Sequence, residues 1–533
     1  MTLRRPCVRS TWLALALTLF LALVGNLRLW TVLAAEPHAV SWAARLALAL
    51  ALVAGFDLLL QAAALPFVFK PVAVLLLLFT AVTSFFMLND GVLIDEAMVR
   101  NVFETDAGEA GELVTPRAIA FVTLTGLLPA LLLVFTRVRY GPLRSELTLR
   151  ALVVLGTVVL AAGAAWPAYK ELSFALRGNQ ALKLMVNPVS PLLAVLHFGR
   201  DEGASEQGEL QPVAADARWE AAGDGRRRLV IFVLGETATA SHFSLNGYAR
   251  ETNPELARLD VLNFPEVRSS GTATSDSVPC MFSSLAREEF TREGGRRQEN
   301  LLDVLQRVGV GVLWRDNNSG CKGVCERVPY EEVSGPPEFF DGHGFFDEAL
   351  LSGLQEFVDR HPGDLFIVLH QKGSHGPAYS RRSPPAWKRF LPECTKADVQ
   401  DCAREEIVNA YDNTILYTDR VLAQVIRFLQ ANSPGSLVAM LYVSDHGESL
   451  GENGIYLHGF PYWLAPDEQT HVPMVFWASD DFLAARGLRR DALPALAARP
   501  CSHDNLFHSV LGLFGISTTA YDAGLDVFAD ACP

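Results

Sequence analysis

Three apolar, β-prone runs in this 533-residue chain each stop on groups that bind cations or move protons. LVAMLYV halts at Ser444-Asp445-His446-Gly447, and His458 follows one loop later. LVIFVLGET ends at Glu236, and GDLFIVLHQKGSHGP ends near His370 and His375. Charge at the carboxyl end of a buried strand must be paired, solvated or bound to a metal, and Asp beside His suits Zn²⁺ or a similar divalent ion. The rival reading of any one such end is an ion-paired Asp-His that merely finishes a strand. Three endings of one kind favour a site. Between the Glu236 and His370 runs lies SSGTATSDSVPCMFSSL, small, hydroxylated and glycine-containing. A threonine there becomes a nucleophile if a metal lowers its hydroxyl pKa. On composition alone Ser269, Ser270, Thr272, Thr274, Ser275 and Ser277 all compete, and a plain capping loop is the alternative.

From about Arg226 onward, strand-like runs alternate with helical stretches, the pattern of an α/β domain around a largely parallel, buried sheet. In such sheets, sites form at the carboxyl edge. Ser277 is expected to cap a helix that has Pro279 in its first turn and runs through Met281 and Phe282. The free N–H groups of that end suit a phosphate oxygen. Cys321 with Cys325, and Cys394 with Cys402, read as short-range disulfides of an oxidising compartment, being poorly spaced for a Cys₄ zinc site. Cys501 and Cys532 are a third candidate pair, Cys7 is expected on the cytoplasmic side, and Cys280 is left over.

Half the residues are hydrophobic, concentrated in the first third, which marks a membrane protein carrying a soluble domain. Five stretches have the ~20 apolar residues a helical span needs: 12–30, 42–65, 67–88, 118–136 and 151–169. Arg4, Arg5 and Arg9 precede the first, and Arg137, Arg139, Arg144 and Arg150 fill the loop before the fifth, so both belong in the cytoplasm. Everything after Tyr169 is then outside, as is the acidic loop holding Asp90, Asp95, Glu96, Glu104, Asp106, Glu109 and Glu112. Asn101, Thr105 and Glu109 recur there every four residues and share one helix face, read either as a solvated strip or as a lipid-headgroup contact. Asp57, inside the second span, is costly in a bilayer and reads as functional or as facing a neighbouring helix. A net charge of −14 argues against a nucleic-acid partner. The expected division is a five-helix membrane domain over 1–170 with a loop helix at about 90–116, a linker over 171–225, and a soluble domain over 226–533.

LGET, GTATSDSVPCMFS, NNSGCKGVC, GSHGP, SDHGESLGENGIYLHG, QTHVP and SHDNLFHSVLG together resemble the lipid A phosphoethanolamine transferases, which include the mobile colistin-resistance enzymes and sit within the alkaline phosphatase and sulfatase superfamily. The resemblance covers nearly the whole chain. It implies a monomeric inner-membrane enzyme with a periplasmic α/β/α sandwich that moves phosphoethanolamine from phosphatidylethanolamine to a phosphate of lipid A. It further implies Thr274 as nucleophile and zinc ligand, completed by Glu236, Asp445 and His446. His375 and His458 would lie beside that ion, contacting phosphoethanolamine, a second zinc or the leaving group. Asn318, Ser319 and Lys322 resemble headgroup-binding residues, and Asn101, Thr105 and Glu109 match positions that meet the donor lipid. Rival expectations are the same chemistry on another envelope glycan, phosphoglycerol transfer, or a silent lipid- or zinc-binding membrane protein. Members commonly carry a cysteine where this chain has Ser270, so the bridge to Cys280 cannot form; either a more mobile loop or a free, buried Cys280 is expected.

Overall fold

A computed structural model describes residues 6–35, 41–105, 107–178, 181–205, 210–219, 225–396 and 398–529. Arg4, Arg5, Asp106 and Cys532, with parts of the expected linker, lie outside these. The chain forms two compact units: Arg100–Leu113 clusters with Phe198–Pro533, and the remainder forms the helical unit.

In the helical unit, Trp42–Ala63, Phe69–Asn89, Pro116–Phe135 and Leu143–Leu172 are each long and apolar enough to cross a membrane. Many of their apolar side chains, such as Leu59, Leu75, Leu132 and Val159, are exposed on the protein, as befits faces solvated by lipid. The first expected span is instead a pair of helices, Ser10–Leu23 and Leu27–Ala35, bent by 45°. At the bend the Gly25 amide reaches back to Phe20 O, and Asn26 Nδ2 takes the freed Leu21 carbonyl at 2.9 Å. The last helix starts at Leu143, so Arg144 and Arg150 lie within it and not in the preceding loop. Arg150 is drawn in because its guanidinium donates to Ser10 Oγ and to the carbonyls of Gln61 and Ala64, the latter two at a neighbouring helix end. Asp57 is fully buried and accepts from Gln61 Nε2 and Thr157 Oγ1, tying two spans together.

The other unit is built on an eight-stranded sheet. Its strands are β1 (Arg227–Gly235), β2 (Leu262–Arg268), β3 (Gly311–Asp316), β4 (Tyr330–Glu332), β5 (Leu365–His370), β6 (Ser436–Ser444), β7 (His471–Ala478) and β8 (Cys501–Ser502), in the order β8-β2-β7-β6-β1-β5-β3-β4. Only β7 is antiparallel to its neighbours. Side chains alternate along β1: Val230, Phe232 and Leu234 join one core, while Leu229, Ile231 and Val233 join the other. Both faces are therefore covered, which is why the central strands are continuously apolar. The 29-residue helix Arg404–Asn432 covers the second face through Ile407, Ala410, Tyr411, Ile415, Leu422, Val425, Ile426 and Leu429. This helical periodicity hides its apolar side and leaves Glu405 and Glu406 to complement the dipole at its first turn.

Register is what builds the site. Asp316 pairs with His370, His370 with Leu234, and Gly235 with Ser444, so β3, β5, β1 and β6 end on one line. Disulfides Cys321–Cys325 and Cys394–Cys402 form as expected, and Cys280 is free and buried. Burial pushes the Cys280 thiol up to about 11, against the opposing effect of Ser270. In the native protein a thiol reagent should therefore label Cys7 and spare Cys280, which becomes reactive on unfolding without reductant. Native labelling of Cys280 by mass spectrometry would contradict this packing.

Candidate metal and phosphoryl-transfer site

The ends of β1 and β6 place Glu236, Asp445 and His446 together, fully buried, with one ligand atom of each within 4.8 Å of the others. His446 Nε2 stands 3.2 Å from Glu236 Oε1 and 3.5 Å from Asp445 Oδ2. Its Nδ1 faces Gly447 O at 2.9 Å, which makes Nδ1 the donor and leaves Nε2 for a ligand role. Burial alone would lower the His446 pKa, but the charge of Asp445 and the hydrogen bond and charge of Glu236 raise it to about 10. Asp445 is pushed up to about 6 by burial and the Glu236 charge. Burial opposes ionisation of Glu236 too, yet its hydrogen bond and charge pairing with His446 hold it well below the carboxylate range. Asp445 Oδ1 accepts the amides of Thr237 and His446, while its buried Oδ2 has no hydrogen-bond partner among the described residues. An orphaned carboxylate oxygen aimed among Glu and His donors fits a divalent cation.

Thr274 completes the cluster. Its Oγ1 lies 3.1 Å from Glu236 Oε2 and 3.5 Å from His446 Nε2. The helix that carries it runs Thr274–Met281 with Ala273 at its cap, four residues before the expected cap Ser277. Ser277 does not cap, because its hydroxyl donates to Asp445 O at 2.5 Å and also meets His503 Nδ1 at 3.2 Å. Pro279 falls in the helix interior, where its missing N–H frees the Ser275 carbonyl. The Arg292 guanidinium takes that carbonyl, so the helix survives. Thr274 thus opens a helix, with its hydroxyl among the candidate ligands.

The other expected residues divide clearly. Asn318 Nδ2 donates to Glu236 Oε2 at 2.5 Å. The His458 ring lies 4.5 Å from that of His446 and 5.0 Å from that of His375. Lys322 Nζ donates to Ser319 O and Oγ and to Glu104 O. Glu109 Oε1 stands 3.8 Å from His375 Nε2. Asn101 and Thr105 have no contact with the cluster among the described residues; Thr105 Oγ1 bonds Asn101 O. The loop is not one helix but two, Glu96–Glu104 and Ala107–Glu112, so the three residues do not form a continuous face.

Family profiles match the chain along most of its length: one described as "Phosphoethanolamine transferase EptA/EptB" over residues 52–202, and one described as "Sulfatase" over 228–516. The phosphoethanolamine transferase EptA of Salmonella typhimurium is 39% identical over 85% of this chain and 84% of its own length. The phosphatidylethanolamine transferase Mcr-1 of Escherichia coli is 38% identical over 85% of this chain and 84% of its own. The integral membrane lipooligosaccharide phosphoethanolamine transferase A of Neisseria meningitidis, at 36% identity, superposes with a TM-score of 0.93 over 98% of this chain and 99% of that one. The chain belongs to the phosphoethanolamine transferase family.

Three supports of this transferase's site were not assigned roles from sequence. Asp316, at the end of β3, holds His370 Nδ1 at 2.8 Å. It also accepts the Trp314 indole and the amides of Asn318 and Gly320. Burial works against its charge, but His370 brings it down to about 2. Glu448 orients His458, with Oε2 2.9 Å from Nδ1. His503, kept neutral by burial, which lowers it to about 3, accepts the Ser270 amide and donates to Ser444 O. It ties the loop ahead of Thr274 to the sheet where no disulfide exists. The signals were present: a fourth apolar run, GVLWRD, ends on an acid, Glu448 lies inside SDHGESLGENGIYLHG, and His503 lies inside SHDNLFHSVLG. The arrangement predicts that protein purified with zinc retains roughly one ion per chain, and that Asp445→Asn and Glu236→Gln each weaken retention about 10-fold or more, as lost ligands do. Unchanged metal content by elemental analysis would refute the ligand set.

Proposed function

We propose that this membrane enzyme transfers phosphoethanolamine from phosphatidylethanolamine to a phosphate of lipid A, with Thr274 as the nucleophile. The observation that carries this reading is the Thr274 hydroxyl, 3.1 Å from Glu236 inside a buried acid-imidazole cluster at a helix start. The chain is anchored by its apolar helices in the bacterial inner membrane, with the sulfatase-type unit in the periplasm.

Glu236, Asp445, His446 and Thr274 would hold Zn²⁺, which supplies the Lewis acidity that makes a hydroxyl nucleophilic near neutral pH. Thr274 Oγ1 forms a bond to phosphorus as the phosphorus–glycerol oxygen bond breaks, leaving phosphoethanolamine on the threonine and releasing diacylglycerol. A lipid A phosphate oxygen then attacks that phosphorus and Thr274 departs. Proton delivery falls to His458. Its Nδ1 is held at 2.9 Å by buried Glu448, which fixes the orientation of the ring. His375 is less suited to donate, because burial lowers it to about 4 despite Glu109 and Glu236. It serves better as a neutral contact to the departing group. Asn318, Ser319 and Lys322 present donors at the end of β3 for the phosphoryl oxygens, while the Glu109 carboxylate is the partner for the ammonium.

Mass spectrometry of lipid A from cells expressing the protein should show added phosphoethanolamine, with reduced polymyxin susceptibility. Thr274→Ala should abolish the addition, and His458→Ala should cost about 10²–10⁴ in rate, the range for a general acid, against a smaller loss for His375→Ala. Modification of another envelope glycan with unmodified lipid A would overturn the acceptor. Diacylglycerol release with no acceptor modified would mark a hydrolase.

A further inference from the structure

Lys372 belongs to none of the groups above, yet its ammonium sits on the carboxylate assigned to the donor's headgroup. Lys372 Nζ is 2.7 Å from Glu109 Oε1, the oxygen that also faces His375 Nε2 at 3.8 Å. The two ends of the pair differ in freedom. The Glu109 side chain is 7% exposed and that of Lys372 20%. A buried carboxylate needs a cationic partner at all times, because an unpaired buried charge is strongly unfavourable. Burial alone would raise Glu109, but His375 and Lys372 bring it down to about 2, so it is ionised and calls for a cation. His375, at about 4, is neutral near physiological pH and does not answer that need.

The backbone beneath Lys372 is fixed. Buried Asp347 accepts the amides of Lys372 and Gly373, and it also takes Asn317 Nδ2 from the end of β3. Gly373 adopts φ +55°, and a Cβ there would stand 2.5 Å from Glu236 O, so this loop is seated on the strand end that carries Glu236. The long methylene stem of Lys372 can still turn its ammonium out to water. Lys372 is the more exposed end of the pair and Glu109 the more buried.

Within the transfer reading above, we propose that Lys372 is a placeholder for the donor's ammonium: it neutralises Glu109 in the free enzyme and is displaced when the ethanolamine headgroup enters. Lys372 therefore acts as an intramolecular competitor that selects for headgroups bearing a primary ammonium. A headgroup without a positive charge would displace the Lys372 cation from Glu109 and supply none in return, so it is disfavoured. The competition also tunes donor affinity, because the fraction of enzyme with Glu109 unoccupied scales the apparent binding constant.

The test compares the full-length, zinc-loaded protein with K372Q and K372R in detergent micelles containing phosphatidylethanolamine or phosphatidylglycerol. Removing the competitor in K372Q should lower KM for phosphatidylethanolamine about threefold or more with kcat little changed, and K372R, which keeps the cation, should behave as wild type. Equilibrium binding of each lipid, measured without acceptor, should tighten in K372Q for phosphatidylethanolamine and not for phosphatidylglycerol. A weaker phosphatidylethanolamine affinity in K372Q would make Lys372 a direct donor contact and overturn the proposal. An equal gain for both lipids would overturn it too. The binding arm decides this even if the wild type binds phosphatidylethanolamine but modifies no lipid A, an outcome that would refute the acceptor reading alone.

Discussion

Two carboxylates buried beside one imidazole set the terms for this molecule. Glu236 and Asp445 are removed from water by the sheet that carries them, and Asp445 Oδ2 makes no hydrogen bond among the described residues. Buried charge of this kind is tolerated only when something positive is held among the groups. The geometry that creates the need also defines the answer: ligand atoms within 4.8 Å of each other, a hydroxyl at 3.1 Å, and an imidazole whose other nitrogen is committed to a backbone carbonyl. Much of the surrounding structure serves to keep these groups in place. Asp316 and His370 brace Asn318, His503 pins the loop ahead of Thr274, and Arg292 repairs the helix that Pro279 would break.

The same principle extends outward to Arg100–Leu113, which belongs with the sulfatase-type unit although it lies between stretches of the helical unit in sequence. Its charged residues, among those described, are paired: Arg100 with Asp276, Glu104 with Arg292, Glu109 with Lys372, and Glu112 with Arg382. These pairs join the segment to the Thr274–Met281 helix, to Arg292 just beyond it and to the loop after β5. A segment bound by charge is well suited to a site whose substrates are charged at phosphate and ammonium, because its partners can be exchanged without unpacking an apolar core.

The strand ends were legible because a polar pair that interrupts an apolar run is costly to bury unless it holds something. Glu236, Asp445 and His446 fall where that logic puts them. The exact start of the Thr274–Met281 helix was not legible. Local rules rank Ser277 as a cap and Pro279 as a first-turn residue, and both signals yield to contacts more than a hundred residues away or from Arg292. The four-residue spacing of Asn101, Thr105 and Glu109 likewise suggested one helix, and the chain breaks after Glu104. Arginines before the last span marked the correct side but not the helix start, since carbonyls of Gln61 and Ala64 recruit Arg150 into the helix. Lys372 carried no signal at all; its meaning comes only from the carboxylate it meets.

A threonine that takes up the headgroup itself is what separates this mechanism from one in which the cluster merely activates water or the acceptor. The direct measurement is peptide mass spectrometry on zinc-loaded protein mixed with phosphatidylethanolamine, without acceptor, and quenched in acid. A phosphoethanolamine adduct on the peptide containing Thr274, formed as diacylglycerol appears, is the predicted result. Diacylglycerol release with Thr274 unmodified, or an adduct on another residue, would contradict it.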